Sequence, residues 1–121
     1  MKYHSTLLKD SRVYPGVRYR IRRPSLKGRL ELLRLVRSEG NSLPFHNASE
    51  ELADQLRSKE ILTAIDAIYI RWALIEIEDR VIDDKPADCE LLIDKGPESL
   101  CREIAESIRE ECFLSGEERK N

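Results

Sequence analysis

Only five of the 121 residues are glycine, and the chain contains no Gly-rich phosphate loop, nucleophile elbow or zinc-protease helix motif. Catalysis is therefore not expected, and no cofactor with it. The three cysteines, Cys89, Cys101 and Cys112, stand twelve and eleven residues apart, with no Cys-x-x-Cys pair. The two histidines, His4 and His46, are far away in sequence, so ligands for a structural zinc are in short supply and free thiols are the expected state. Cys101 and Cys112 fall in a helical pattern, as small core residues would. No apolar run approaches the roughly 20 residues that span a bilayer. The opening MKYHSTLLKD has no basic stretch leading into an apolar segment, so no secretory signal and no membrane partner are expected, and the protein reads as cytoplasmic. The acidic group Glu76, Glu78, Asp79, Asp83 and Asp84 lacks the spaced oxygens and central glycine of a calcium loop.

Charge, by contrast, is abundant and unevenly placed. Charged residues make up 36% of the chain, and the net charge of −2 conceals two opposed halves. Residues 1–40 carry eleven Lys or Arg against three acids, a net +8, whereas residues 41–121 carry ten against twenty, a net −10. The simplest consequence is mutual attraction of the halves within one fold, with most charges on solvated faces. The alternative is a basic surface for an acidic partner.

The chain is long enough for one domain with a modest core. Its longest helical pattern is Asn47 to Arg80, with Ile61, Ile65, Ile68, Trp72 and Ile75 recurring at spacings of four and three. Leu62, Tyr69 and Ala73 broaden that face. The first half of this segment is polar apart from Leu52, Ala53 and Leu56, so solvated opening turns and a buried second half are expected.

Before it, Val17, Tyr19 and Ile21 alternate with Arg18, Arg20 and Arg22, the pattern of a strand with one apolar and one basic face. Tyr14-Pro15-Gly16 suits a type II turn, and a hairpin over residues 1–24 follows, its loop running from Asp10 to Gly16. Ser25 is placed to cap a helix over residues 25–40 in which Leu26, Leu30, Leu33 and Val36 form one side, widened by Leu32 and Leu35. That side is expected to pack on the hairpin. Asn47 with Glu50 resembles a capping box for the long helix, with Ser49 as an alternative cap. The turn Asp83-Asp84-Lys85-Pro86 lets residues 80–83 add an edge strand to the hairpin. Two C-terminal helices follow within 88–114, opened by Asp88 and Pro97 and separated by Gly96. The second carries Leu100, Ile104 and Ile108. Residues 115–121 read as a polar tail whose Ser115-Gly116-Glu117-Glu118 has the form of a capping box with no apolar run behind it. The expected fold is thus α+β: a mostly helical single domain with a small N-terminal antiparallel hairpin or sheet packed on three to four helices.

The basic run Arg18 to Arg29 also admits a nucleic-acid reading, through Arg18, Arg20, Arg22, Arg23 and Arg29. The strand alternation and a pI near 5.8 weigh against it, and a solvated or protein-docking face accounts for the same residues. An apolar groove between helices would suit a partner helix.

Taken together, Tyr14-Pro15-Gly16-Val17 passing into Arg23-Pro24-Ser25-Leu26-Lys27-Gly28-Arg29-Leu30-Glu31-Leu32, the central helix with Tyr69 and Trp72, the turn Ile82-Asp83-Asp84-Lys85-Pro86-Ala87 and the ending Leu114-Ser115-Gly116-Glu117-Glu118-Arg119-Lys120-Asn121 resemble the small tail assembly chaperones of long-tailed bacteriophages and prophages. The resemblance implies binding without catalysis: association with the tape measure protein and tail tube protein during tail assembly, in the cytoplasm of a bacterial host cell. It also implies a longer frameshifted product, which an AAA-AAC encoding of Lys120-Asn121 would permit. Self-association is compatible with it, as is a small structural tail or connector subunit. Leu52, Leu56 and Trp72 are then the candidate partner contacts, with Arg18, Arg20 and Arg22 on the basic face, although Trp72 also fits a place in the core.

Overall fold

A computed structural model describes residues 1–41, 50–78 and 80–118, with side chains described as far as Cys112. Strand β1, Thr6–Asp10, pairs antiparallel with β2, Arg18–Arg22, from Thr6 opposite Arg22 to Asp10 opposite Arg18. The connecting loop contains the expected type II turn. Val17 N–H donates to the Tyr14 carbonyl at 3.1 Å, and Gly16 takes the positive φ of 91° that this turn requires. Val17, Tyr19 and Ile21 point inward and are buried.

Helix α1, Leu26–Gly40, begins at the Ser25 cap, whose Oγ accepts from Gly28 N–H at 2.9 Å. Helix α2, Leu52–Ala73, is the central element. Its expected extent was 47–80, but it ends at Ala73, and the residues before Glu50 that were assigned to it lie outside the described set. Leu74–Glu78 is instead strand β3, antiparallel to β2 and third in the sheet order β1-β2-β3. The third strand therefore comes from 74–78, not from 80–83.

A bulge explains why β3 was hard to see. Arg20 faces Glu76 but Ile21 faces Leu74, so one extra residue, Ile75, is accommodated on β3. The bulge turns both Leu74 and Ile77 toward the core and leaves Ile75 half-exposed. The resulting inward spacing of three imitates a helix.

Val81–Ile82 (β4) and Lys85–Pro86 (β5) form a separate two-residue-loop hairpin. Its central residues, Asp83 and Asp84, both have positive φ, 49° and 63°, as a type I′ turn demands. Asp88 Oδ1 caps the short helix α3, Cys89–Lys95, by accepting from Leu91 N–H at 2.8 Å. Helix α4 runs Glu98–Glu118, so its backbone passes through the positions read as the start of a polar tail. The protein is α+β: four helices among the described residues, with a small antiparallel sheet packed on them.

The core lies where α2, α4 and the inner sheet face meet. Tyr19, Ile21, Leu32, Ile61, Ile70, Leu92, Leu100, Ile104, Ile108 and Cys112 are its largest fully buried side chains. Two polar links hold β2 and the residue after it against α4: Tyr19 Oη lies 2.7 Å from Ser107 Oγ, and Arg23 Nε lies 3.2 Å from Glu111 Oε1. The hairpin loop is clasped by Glu103 of α4, whose carboxylate accepts from Ser11 Oγ, from Arg12 N–H at 2.7 Å and from Val13 N–H at 3.3 Å. These contacts join the basic half of the sequence to the acidic half.

Candidate docking surface

The basic face of β2 lies on the outer side of the sheet, where its charge is largely answered by neighbouring strands. Arg18 Nε is 2.9 Å from Asp10 of β1, and Arg20 Nε is 3.1 Å from Glu76 of β3 while its Nη1 reaches Thr6 Oγ1 at 3.2 Å. Arg22 lies over the Trp72 ring at 3.8 Å. Trp72 itself is half-buried against the core and α1. The structure thus brings Arg22 and Trp72 together.

Leu52 and Leu56 are a different matter. Both are exposed, at 68% and 56%, but Leu52 and Trp72 are twenty residues apart on one helix, about 30 Å along its axis. The six candidate residues do not form one site.

Sequence reasoning missed a second apolar surface. Leu26, Leu30 and Leu33 were expected to pack on the hairpin, yet they are 91%, 49% and 43% exposed. Helix α1 buries Gly28 and Leu32, with Val36 packed at the core's edge, and it does so against α2. The choice of side follows from Gly28. A Cβ there would come within 3.0 Å of Trp72, so the missing side chain lets the helices approach along that line. The signal was available in the sequence: α1 has more large apolar residues than one buried stripe needs, and a glycine in the middle of a helix marks close approach.

The seam Leu26, Leu30, Leu33 has the four-then-three spacing of a single helical face. Shallow depressions run beside it, one between Leu30, Leu33, Arg34 and Arg37, the next between Lys27, Leu30, Glu31, Arg34, Leu35 and Ser38. A separate groove between the hairpin and α4 is lined by charges of both signs, including Lys9, Arg12, Glu106 and Glu110, and Glu103 there is engaged by the hairpin loop.

Among titratable groups, burial pushes the hydroxyls of Tyr19 and Tyr69 above their ordinary value, against the opposing Ser107 hydrogen bond and Arg109 charge respectively. Burial also raises Asp66, with Arg109 at 2.8 Å opposing it. All three thiols are free and are raised chiefly by burial. Cys112 is in the core, while Cys89 and Cys101 are half-buried. Among the described residues no cluster of His, Cys, Asp or Glu is arranged to hold a metal ion, and no helix is long and apolar enough to cross a membrane.

Comparison with protein-family models, with curated proteins and with solved structures finds no match for this chain.

Proposed function

We propose that this protein is a non-catalytic tail assembly chaperone of the long-tailed phage type, acting in the bacterial cytoplasm and holding an unassembled helical partner, the tape measure protein, before tail tube subunits gather on it. One observation carries the reading. Seven leucines on two neighbouring helices stand exposed: Leu26, Leu30, Leu33 and Leu35 on α1, and Leu52, Leu56 and Leu62 on α2. Scattered apolar side chains are ordinary on a protein surface, but the periodic seam that Leu26, Leu30 and Leu33 form among these suits an apolar partner. A helix-binding module needs such a seam and no reacting groups.

Co-expression with the tape measure and tail tube proteins of the same genome tests this. A chaperone keeps the tape measure protein soluble, copurifies with it and is missing from finished particles. A tape measure protein that precipitates equally with and without this chain rejects the reading. Presence of the chain in finished tails does so too, in favour of a structural subunit.

A further inference from the structure

We infer that the outer face of α1 docks an acidic amphipathic helix of the partner, with Leu26, Leu30 and Leu33 as the apolar seam and Lys27, Arg34 and Arg37 receiving its carboxylates. This rests on the helix-binding reading above and specifies which face binds and what chemistry the occupant has.

The spacing of the three leucines is that of anchors in helix-in-groove recognition. Leu26 stands almost fully exposed and Leu30 and Leu33 about half so, which leaves a continuous apolar edge open among the described residues. Charge selects the occupant. Seven arginines elsewhere, Arg18, Arg20, Arg23, Arg57, Arg71, Arg102 and Arg109, each pair with a carboxylate, and Arg22 and Arg80 lie over aromatic rings. Among the described residues, Lys27, Arg34 and Arg37 pair with none, although they line or adjoin the depressions along the seam. Glu31 is the one acid lining those depressions. A leucine seam edged with unanswered cations matches a helix carrying leucines with flanking Asp or Glu, as charged positions flanking a coiled-coil seam choose their partners.

A second copy of α1 fits poorly. Packed antiparallel it would set Arg34 and Arg37 toward Lys27, and packed parallel it would set each cation toward its own copy. Nucleic acid would engage the cations but leave the leucines without a role.

The full-length protein should be titrated with two designed three-heptad peptides, each with leucine along one seam, one flanked by glutamate and the other by lysine. The acidic peptide is expected to bind at least about tenfold more tightly, with affinity falling as salt rises. Arg34→Glu with Arg37→Glu should reverse the preference. Leu30→Asp with Leu33→Asp should abolish binding while leaving the circular dichroism unchanged and thermal unfolding cooperative. Equal binding of both peptides, binding of neither, or self-association that Leu33→Asp abolishes would each overturn the inference. The wider reading is judged separately. If the tape measure protein copurifies with the Leu30→Asp, Leu33→Asp protein, the docking face alone is wrong. If it fails to copurify with the unaltered protein, the chaperone reading fails.

Discussion

Arg22 lies over the indole of Trp72 with its guanidinium carbon 3.8 Å from the ring centroid, joining the last residue of β2 to the last turn of α2. Among the described residues neither Arg22 Nε nor Trp72 Nε1, both buried, has a hydrogen-bond partner, so stacking holds the pair. A cation on a partly desolvated tryptophan contributes about 1 kcal/mol, and the arginine stem adds packing. Arg22→Ala is expected to lower stability by about 1 to 2 kcal/mol in denaturant unfolding. Because Trp72 is the sole tryptophan, its emission reports the site directly and should shift toward the red in the folded variant. Unchanged emission and stability would mean that the stack contributes nothing.

Gly28 tests how closely α1 and α2 approach. On propensity alone, Gly28→Ala should stabilise an exposed helix by up to about 1 kcal/mol. Here the new methyl would meet Trp72 Cζ2 and Ser25 Oγ, both at 3.0 Å. Ser25 is held as the helix cap and Trp72 is pinned by Arg22, so neither yields freely. The expected outcome is a net loss of about 1 kcal/mol, measured by chemical denaturation. A gain in stability would show that the two helices can part without cost.

Alkaline pH should destabilise the fold in two stages. The thiols of Cys89, Cys101 and Cys112 and the hydroxyls of Tyr19 and Tyr69 all titrate above their ordinary values in the folded protein. Each group keeps its proton in the folded state while the unfolded chain releases it. Stability is therefore fully present below the unfolded values and declines as pH rises through them, from about 8.5 for thiols and about 10 for tyrosines. One fully released proton gives a slope of about 1.4 kcal/mol per pH unit. Unfolding free energies measured between pH 7 and 11 should fall along this course, and Cys112→Ala should flatten its first stage. A flat profile would contradict the burial of these groups.

The hairpin, the Ser25 cap and the buried trio Val17, Tyr19 and Ile21 were legible because each depends on a local signal: Pro-Gly chemistry, an oxygen near a helix start, strict alternation. The end of α2 was not. Ile75 continues the spacing of Ile61, Ile65, Ile68 and Trp72, and the bulge at Ile75 gives β3 an inward spacing of three that alternation does not show. The candidate site was legible only in part. The sequence reveals the arginines of β2, but strand register decides that Arg18 meets Asp10 and Arg20 meets Glu76. Nor does a helix with apolar residues around most of its circumference declare which side it will bury.

Adjacent leucines on α1 separate the two roles of that helix. Leu32 is fully buried in the core, whereas Leu33 projects into solvent on the outer seam. Leu32→Ala removes buried methyl groups and leaves a cavity, which is expected to cost about 2 to 5 kcal/mol. Leu33 keeps 43% of its surface exposed, so Leu33→Ala removes less buried area and leaves no enclosed cavity, and its effect should stay below about 1 kcal/mol. If both cost more than about 2 kcal/mol in denaturant unfolding, α1 is covered on both sides and has no free seam to offer. A large loss for Leu32→Ala beside a negligible one for Leu33→Ala would place the outer leucines outside the folding energetics. The seam of Leu26, Leu30 and Leu33 would then be open to a partner at little cost to the fold.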